Sequence, residues 1–249
     1  NDLSLEVPEG KIVALIGPNG AGKTTIIDAI TGLVPATGSV NHTGTEILGR
    51  KVHRIARLGV GRTFQTASVF ENLSVLQNLD IAAGSGRKPL ELLRRRRGTE
   101  PAVEEALEII GLEHLAFRQA GTLAHGQKQW LEIGMLLVQN SELLLLDEPI
   151  AGMSQDERAQ TGELLKDATS CMMCRRIVAV VRSSFWRIWL AMSERTAALD
   201  AMFVLPFADK NLFPPAERQA VRRKINVILP ARVRSWARGA DSRGRRSRA

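Results

Sequence analysis

The chain has 249 residues, 44% of them hydrophobic, enough for one large domain or two small ones with a sizeable core. No apolar run reaches the roughly 18 residues that a membrane-spanning helix needs, which excludes a helical span. The formal net charge of +8 suggests a nucleic-acid partner, but residues 171–249 carry 17 Lys/Arg against 5 Asp/Glu, so residues 1–170 are slightly acidic and the simple form of that reading fails.

In chain order, Leu3-Ser4-Leu5-Glu6-Val7 alternates like a strand, and Pro8-Glu9-Gly10 turns it into Lys11–Ile16, a β-prone apolar run. The pair reads as an antiparallel hairpin. The chain begins Asn1-Asp2 without Met or a signal peptide, which reads as a chain cut at its front. Gly17-Pro18-Asn19-Gly20-Ala21-Gly22-Lys23-Thr24-Thr25 fits the phosphate-loop pattern G-x-x-x-x-G-K-[ST]. The pattern requires a strand before it and a helix after it; Thr24 to Leu33 has helical spacing. Glycines let successive N–H groups turn inward on a polyphosphate, and the helix N-terminus adds roughly half a positive charge. Lys23 can reach the β- and γ-phosphates, the Thr24 hydroxyl can ligate Mg²⁺, and Thr25 can touch an inner phosphate.

Pro35–Gly38 is a turn and Ser39–His42 is strand-like. A helix is predicted around Val52–Leu58, a strand and loop over Gly59–Gln65, and a helix over Leu73–Ala83. Arg94–Arg97 reads as a solvated loop or helix end. Pro101 opens a helix whose stripe is Val103, Ala106, Leu107 and Ile110, and Gly111 ends it. His114, among apolar residues, reads as structural. Gly121–Trp130 opens a long helix running to about Val138. Leu143–Leu146 is a continuous apolar run, as in a strand buried on both faces of a parallel sheet. Asp147 and Glu148 follow at its C-terminal end, where open α/β sheets bind ligands. Asp147 suits a water-mediated contact to Mg²⁺, and Glu148 suits the group that polarises an attacking water.

Composition changes near Asp167–Cys171: 19 of 21 Gly lie before residue 171, and three of four Trp after it. A boundary is predicted there, with 1–170 as one domain containing a helical subdomain at about 72–138. Residues 171–249 are expected to form a basic tail with one strand, Arg176–Val181, a helix over Ala191–Met202, and an Arg/Ser/Gly-rich end at 231–249 that reads as disordered. Cys171 and Cys174 are too few ligands for zinc and read as incidental thiols in a reducing compartment.

Together these motifs resemble the ATP-binding subunits of ABC transporters, over Asn1 to about Asp167. Gly17–Thr24 matches the Walker A loop and Gln65 the Q-loop glutamine. Leu123-Ala124-His125-Gly126-Gln127 matches the signature motif, Leu143–Asp147 with Glu148 matches Walker B and the catalytic glutamate, and Ala151-Gly152-Met153-Ser154 matches the D-loop. The resemblance implies a P-loop NTPase (RecA-like) α/β fold: a parallel sheet with an antiparallel β edge and an inserted helical subdomain, with a C-terminal tail of uncertain fold. It implies ATP and Mg²⁺, Gln65 as a ligand of Mg²⁺ or of the attacking water, and Glu148 as the catalytic base. It also implies a second ATP-binding subunit whose Leu123–Gln127 completes the site, permease subunits, a position at the cytoplasmic face of the plasma membrane, and no nucleic acid. Gly61-Arg62-Thr63-Phe64-Gln65, Ala151-Gly152-Met153 and the run His125–Met135 resemble the branched-chain amino-acid importer group, and His-Gly-Gln-Lys-Gln-Trp is most similar to its urea-importing members.

Three features depart from the family pattern. Ala124 replaces the usual Ser of the signature. The aromatic that stacks on adenine would precede Asn1. Where the family carries Glu-His after the next strand, this chain has Arg182-Ser183. The alternative reading is therefore a truncated or frame-shifted ATP-binding domain that holds nucleotide without efficient hydrolysis or coupling.

Overall fold

The computed structural model describes residues 4–17, 20–64, 67–84, 99–170, 176–182 and 201–204. In chain order its elements are β1 (Lys11–Gly17), α1 (Lys23–Ile30), β2 (Asn41–His42), β3 (Thr45–Glu46), α2 (Val52–Arg57), β4 (Val60–Arg62), α3 (Val75–Gly84), α4 (Pro101–Ile110), α5 (His125–Leu137), β5 (Leu143–Asp147), α6 (Gln155–Ser170), β6 (Arg176–Arg182) and β7 (Ala201–Val204). Five strands form one parallel sheet in the order β4-β5-β6-β1-β7, and β2 pairs with β3 as a separate antiparallel sheet.

Side chains alternate across this sheet, and both faces are dry. Ile12, Ala14 and Ile16 of β1 and Leu144 and Leu146 of β5 point into one cluster, with α3, α4, α5 and α6. Val13, Leu15, Leu143 and Leu145 point into the other, with Ile27, Ile47 and Ile55. A central parallel strand is covered on both sides, so its sequence is apolar throughout instead of alternating. Each fully buried Leu or Ile contributes roughly 1.5–3 kcal/mol, which fixes the register that carries the site.

Helix ends follow local chemistry. The predicted stripe Val103, Ala106, Leu107 and Ile110 is buried, Pro101 sits in the first turn of α4, and Gly111 ends it at φ 65°. The helix after the phosphate loop stops at Ile30, three residues before the predicted Leu33. The Gly32 N–H donates to Ala29 O and the Leu33 N–H to Asp28 O, a Schellman stop with Gly32 at φ 76°. α3 begins at Val75, two residues after the predicted Leu73, because Ser74 caps it: the Gln77 N–H donates to Ser74 Oγ (3.1 Å), and the Ser74 N–H to Gln77 Oε1 (2.9 Å).

Other expectations are corrected. Residues 4–8 form no strand and no hairpin with β1; the antiparallel pair is β2–β3. The alternation still sorts the side chains, since Leu5 and Val7 pack on the cluster of Val13, Leu15, Leu143 and Leu145. The partner that Val7 finds is the Arg176 side chain, whose Nε donates to its carbonyl at 3.2 Å. His114 is exposed, on a short 3₁₀ turn (Glu113–Leu115). Ala201 and Met202, the end of a predicted helix, belong to strand β7; the rest of that helix lies outside the described residues, as do Arg94–Arg97, Cys171, Cys174 and residues 231–249. The compositional break near 167–171 does not break the sheet, for β6 lies between β5 and β1, and β7 flanks β1 as a second strand beyond residue 170.

A Cβ at Gly32 would stand 2.6 Å from the Arg50 carbonyl oxygen, at a φ that disfavours L side chains. Gly32→Ala should therefore lower unfolding stability by roughly 2–3 kcal/mol in urea titration, the sum of left-handed strain and overpacking.

Candidate active site

Three strand ends and one helix start build the site. β1 delivers Gly17, and the chain turns through Gly20 (φ 79°) and Gly22 (φ 84°) into α1. Pro18 and Asn19 lie outside the described residues. Gly22 is the N-cap of α1, and Lys23 is its first residue. Lys23 is buried, and its Nζ donates to Gly17 O at 2.8 Å, so the loop is closed on its own lysine. Ala21 and Thr24 are half-buried and Thr25 is exposed beside them.

β5 places Asp147 across from α1. The Thr24 hydroxyl donates to Asp147 Oδ1 at 3.4 Å. Asp147 is 2% exposed, and burial raises its carboxyl above the ordinary range, against the pull of Arg62 and the Thr24 hydrogen bond. A hydroxyl and a carboxylate with no third acidic or imidazole ligand grouped beside them among the described residues form a hard, sparse oxygen set. That set fits Mg²⁺, which takes one or two protein oxygens and fills its remaining positions with phosphate and water. A dication there would also offset the cost of a buried carboxylate. Thr24 and Asp147 would hold it, and the buried Lys23 ammonium suits the anion it would accompany.

Glu148 follows at φ 51°, a left-handed conformation rare for a residue with a side chain, and the Ala151 N–H closes a turn on its carbonyl at 3.0 Å. The turn leaves the Glu148 side chain half-buried at the strand's edge. On the far side, β6 pairs with β1 so that Arg182 aligns with Gly17, while Val180 aligns with Asp147. The backbone of residue 182 thus ends level with the loop, and Ser183 lies outside the described residues.

Sequence inspection missed several residues. Arg62, from β4, makes a hydrogen-bonded ion pair with Asp28 on α1, donates to Thr31 Oγ1 at 3.3 Å and lies 3.8 Å from Asp147 Oδ2. It ties the helix after the loop to the strand that carries the acid. The Asp147 N–H donates to Thr63 Oγ1 at 3.2 Å, so the turn after β4 steadies the same residue. Gln65 lies outside the described residues, but both flanks of its loop meet one side chain: the Phe64 and Ser68 N–H groups each donate to Glu132 Oε1 at 3.4 Å. Glu132 is 5% exposed, and burial pushes its carboxyl up to about 7. Its signal in the sequence was an acid between Leu131 and Ile133 in a helix buried nearly all round.

Leu123–Gln127 is seated elsewhere. Leu123 is buried, and Ala124 is the N-cap of α5. The Ala124 N–H donates to Gln127 Oε1 at 3.0 Å, but a methyl cannot accept in return, so half of a capping box is absent. His125 is exposed with its ring 3.4 Å from where a Cβ on Gly152 would stand, and a Cβ on Gly126 would lie 2.7 Å from Glu157 Oε1. Ser154 and Glu157 cap α6 reciprocally. The signature segment therefore packs on residues 152–157, and its helix N-terminus faces outward. A groove of about 800 Å³ between α4, α5 and α6 is lined by His114, Gln127, Trp130, Gln155 and Glu163, but by none of Gly17–Thr25, Asp147 or Glu148.

A profile of the ABC transporter family matches residues 1–151. The high-affinity branched-chain amino acid transport ATP-binding protein LivG of Salmonella typhimurium is 40% identical over 177 residues, covering 67% of this chain and 69% of LivG. The corresponding protein BraF of Pseudomonas aeruginosa is 40% identical over 171 residues, covering 63% and 66%. Among solved structures, the ADP conformation of MJ1267, an ATP-binding cassette of an ABC transporter, superposes with a TM-score of 0.64 at 29% identity over 82% of this chain and 79% of that one.

Two outcomes follow from α5. Ala124→Ser supplies the missing acceptor and should raise stability by about 1 kcal/mol in thermal or urea unfolding. Glu132 has a folded value of about 7 against 4.5, so folding favours its protonated form and stability is lost as pH rises between those values. Glu132→Gln should then gain on wild type between pH 5 and pH 8, by on the order of 2 kcal/mol in urea titrations. A constant offset across that range would contradict the shift.

Proposed function

This chain belongs to the ABC transporter family, among its ATP-binding subunits, and from that premise we propose that it hydrolyses ATP to power an importer of branched-chain amino acids. The observation that carries the reading is the alignment of Thr24, Asp147 and Glu148 at one edge of the sheet, beside a glycine loop closed on Lys23. The similarity to LivG and BraF supports the solute class. A second reading keeps the same chemistry with urea as the solute, and rests on the His125-Gly126-Gln127-Lys128-Gln129-Trp130 form of the signature.

In this mechanism the inward N–H groups of the Gly17–Thr25 loop and the Lys23 ammonium bind the β- and γ-phosphates. Mg²⁺, when held by the Thr24 hydroxyl and through water by Asp147, supplies charge neutralisation on the leaving phosphates. Gln65 orients the attacking water, and Glu148 accepts its proton, giving ADP and phosphate. Leu123–Gln127 of a second ATP-binding subunit brings an outward-facing helix start to the γ-phosphate. Loss of that phosphate separates the two subunits, a switch of the kind set by γ-phosphate contacts. Permease subunits at the cytoplasmic face of the plasma membrane read out the motion; among the described residues no helix is long and apolar enough to cross a membrane. No nucleic acid takes part.

The competing reading, nucleotide binding without turnover, draws on Arg182-Ser183 at the end of β6, where the family carries Glu-His. Phosphate release by the purified chain decides between them. Glu148→Gln should lower release by about a hundredfold or more while leaving ATP affinity within a few fold, and Lys23→Ala should abolish ATP binding. Equal release from wild type and Glu148→Gln would refute hydrolysis by this chain.

A further inference from the structure

Between Ile47 and Gly59 the chain carries Arg50, Lys51, His53, Arg54 and Arg57 and no Asp or Glu. All five side chains are exposed, on α2 or just before it. None of them makes an ion pair or a side-chain hydrogen bond among the described residues. Glu46, four residues before Arg50, is taken by the Ser39 hydroxyl and by the Val40 and Leu48 N–H groups. Asp28 is taken by Arg62. The helix dipole favours cations at a C-terminal end, which accounts for Arg54 and Arg57. It disfavours them at the N-terminal end, where Arg50 and Lys51 stand, and Lys51, Arg54 and Arg57 recur every third residue, so like charges crowd one short helix. That arrangement costs stability, and no contact among the described residues offsets it.

Two apolar side chains border the same cations. Leu33 is 50% exposed and Val52 45%. The turn that leads into Leu33 packs on Arg50, whose carbonyl oxygen would lie 2.6 Å from a Cβ on Gly32. We propose that α2 and the Gly32–Leu33 turn form a surface that seats on anionic phospholipid headgroups. Each Lys or Arg near such a surface adds to the attraction, and the headgroup boundary also accepts exposed apolar side chains. A nucleic acid would pair with the cations but leave Leu33 and Val52 in water. Charge and exposed apolar area together therefore select a lipid surface. The turn follows the C-terminal end of α1, a helix length of about 12 Å from the phosphate loop. The contact involves no step of ATP hydrolysis, so it stands or falls apart from the function proposed above.

The test puts an environment-sensitive fluorophore on the full chain, with Cys171 and Cys174 replaced by Ser. One label is at Ala56→Cys, exposed beside the cations, and the other, in a separate preparation, is at Gln160→Cys, exposed on α6. Ile55 of α2 packs on one face of the sheet and Leu164 and Leu165 of α6 on the other, so the second label reports the far side. Vesicles of phosphatidylglycerol and phosphatidylcholine, carrying a quencher-tagged lipid, are added at low salt. Quenching at residue 56 should exceed that at residue 160 by about threefold or more, and should vanish on phosphatidylcholine alone. Arg50→Gln, Lys51→Gln, Arg54→Gln and Arg57→Gln combined should weaken lipid binding read at residue 56 by about tenfold or more. The combined variant should melt no lower than wild type, since it removes like-charge repulsion; if it does melt lower, the comparison of the two labels still decides. No quenching at residue 56 would overturn the proposal, even if the chain sediments with the vesicles through its basic residues 171–249. Equal quenching at both labels, or quenching on phosphatidylcholine alone, would overturn it as well. A response of the residue 56 label to duplex DNA but not to anionic vesicles would replace lipid with nucleic acid as the occupant.

Discussion

The carboxylate of Asp147 is the group on which the rest of the molecule converges. It stands at the end of a strand buried on both faces and paired on both sides, so the packing of Leu143–Leu146 and the ladders to β4 and β6 fix its place. Its neighbours then come from every part of the site: Thr24 from the helix after the loop, Arg62 from β4, Thr63 from the turn beyond. A carboxylate at 2% exposure is costly unless charge and donors surround it. Arg62 and the Thr24 hydroxyl offset part of that cost, and burial still dominates the shift. A cation at this point would offset more of that cost.

Arg62 has a second consequence. It pairs with Asp28 on α1 and approaches Asp147 on β5, so one guanidinium joins the helix after the loop to the strand that carries the acid. The same side chain lies over the Phe64 ring, 5.1 Å from its centroid, at the mouth of the Gln65 loop. Arg62 reaches that loop from the sheet and Glu132 reaches it from α5. Phe64 thus meets a cation of the sheet through its ring and an acid of α5 through its N–H.

Most of the fold was legible where a local pattern and a tertiary role coincide. The phosphate loop, the four-leucine strand and the stripe of α4 each carry their own geometry, and each falls where the pattern placed it. The hairpin at Leu3–Val7 was misread because alternation reports which side chains are inward, and it says nothing of whether a ladder partner exists. Leu5 and Val7 do point inward, yet the residues that would pair with them are already paired in β1 with β6 and β7. The strand predicted over Arg176–Val181 is β6, and its Ile177, Val178 and Ala179 are buried although the segment around them is basic. Arg62, Thr63 and Glu132 were invisible as a set because 69 or more residues separate Glu132 from the other two, and only the folded sheet brings them to one edge.

Binding and turnover draw on different amounts of this architecture. The groups proposed to hold phosphate come from one continuous stretch, Gly17–Thr25, in which Gly20 and Gly22 have positive φ and Lys23 donates to Gly17 O. Turnover as proposed would draw on Glu148, which stands at φ 51° in a turn after β5, and so on a second segment of the chain. The register aligns Arg182 with Gly17, so the backbone is in place for a third contribution even though the residue there is a cation in place of an acid and imidazole. In the proposed mechanism the proton goes to Glu148, which the turn after β5 presents at φ 51°.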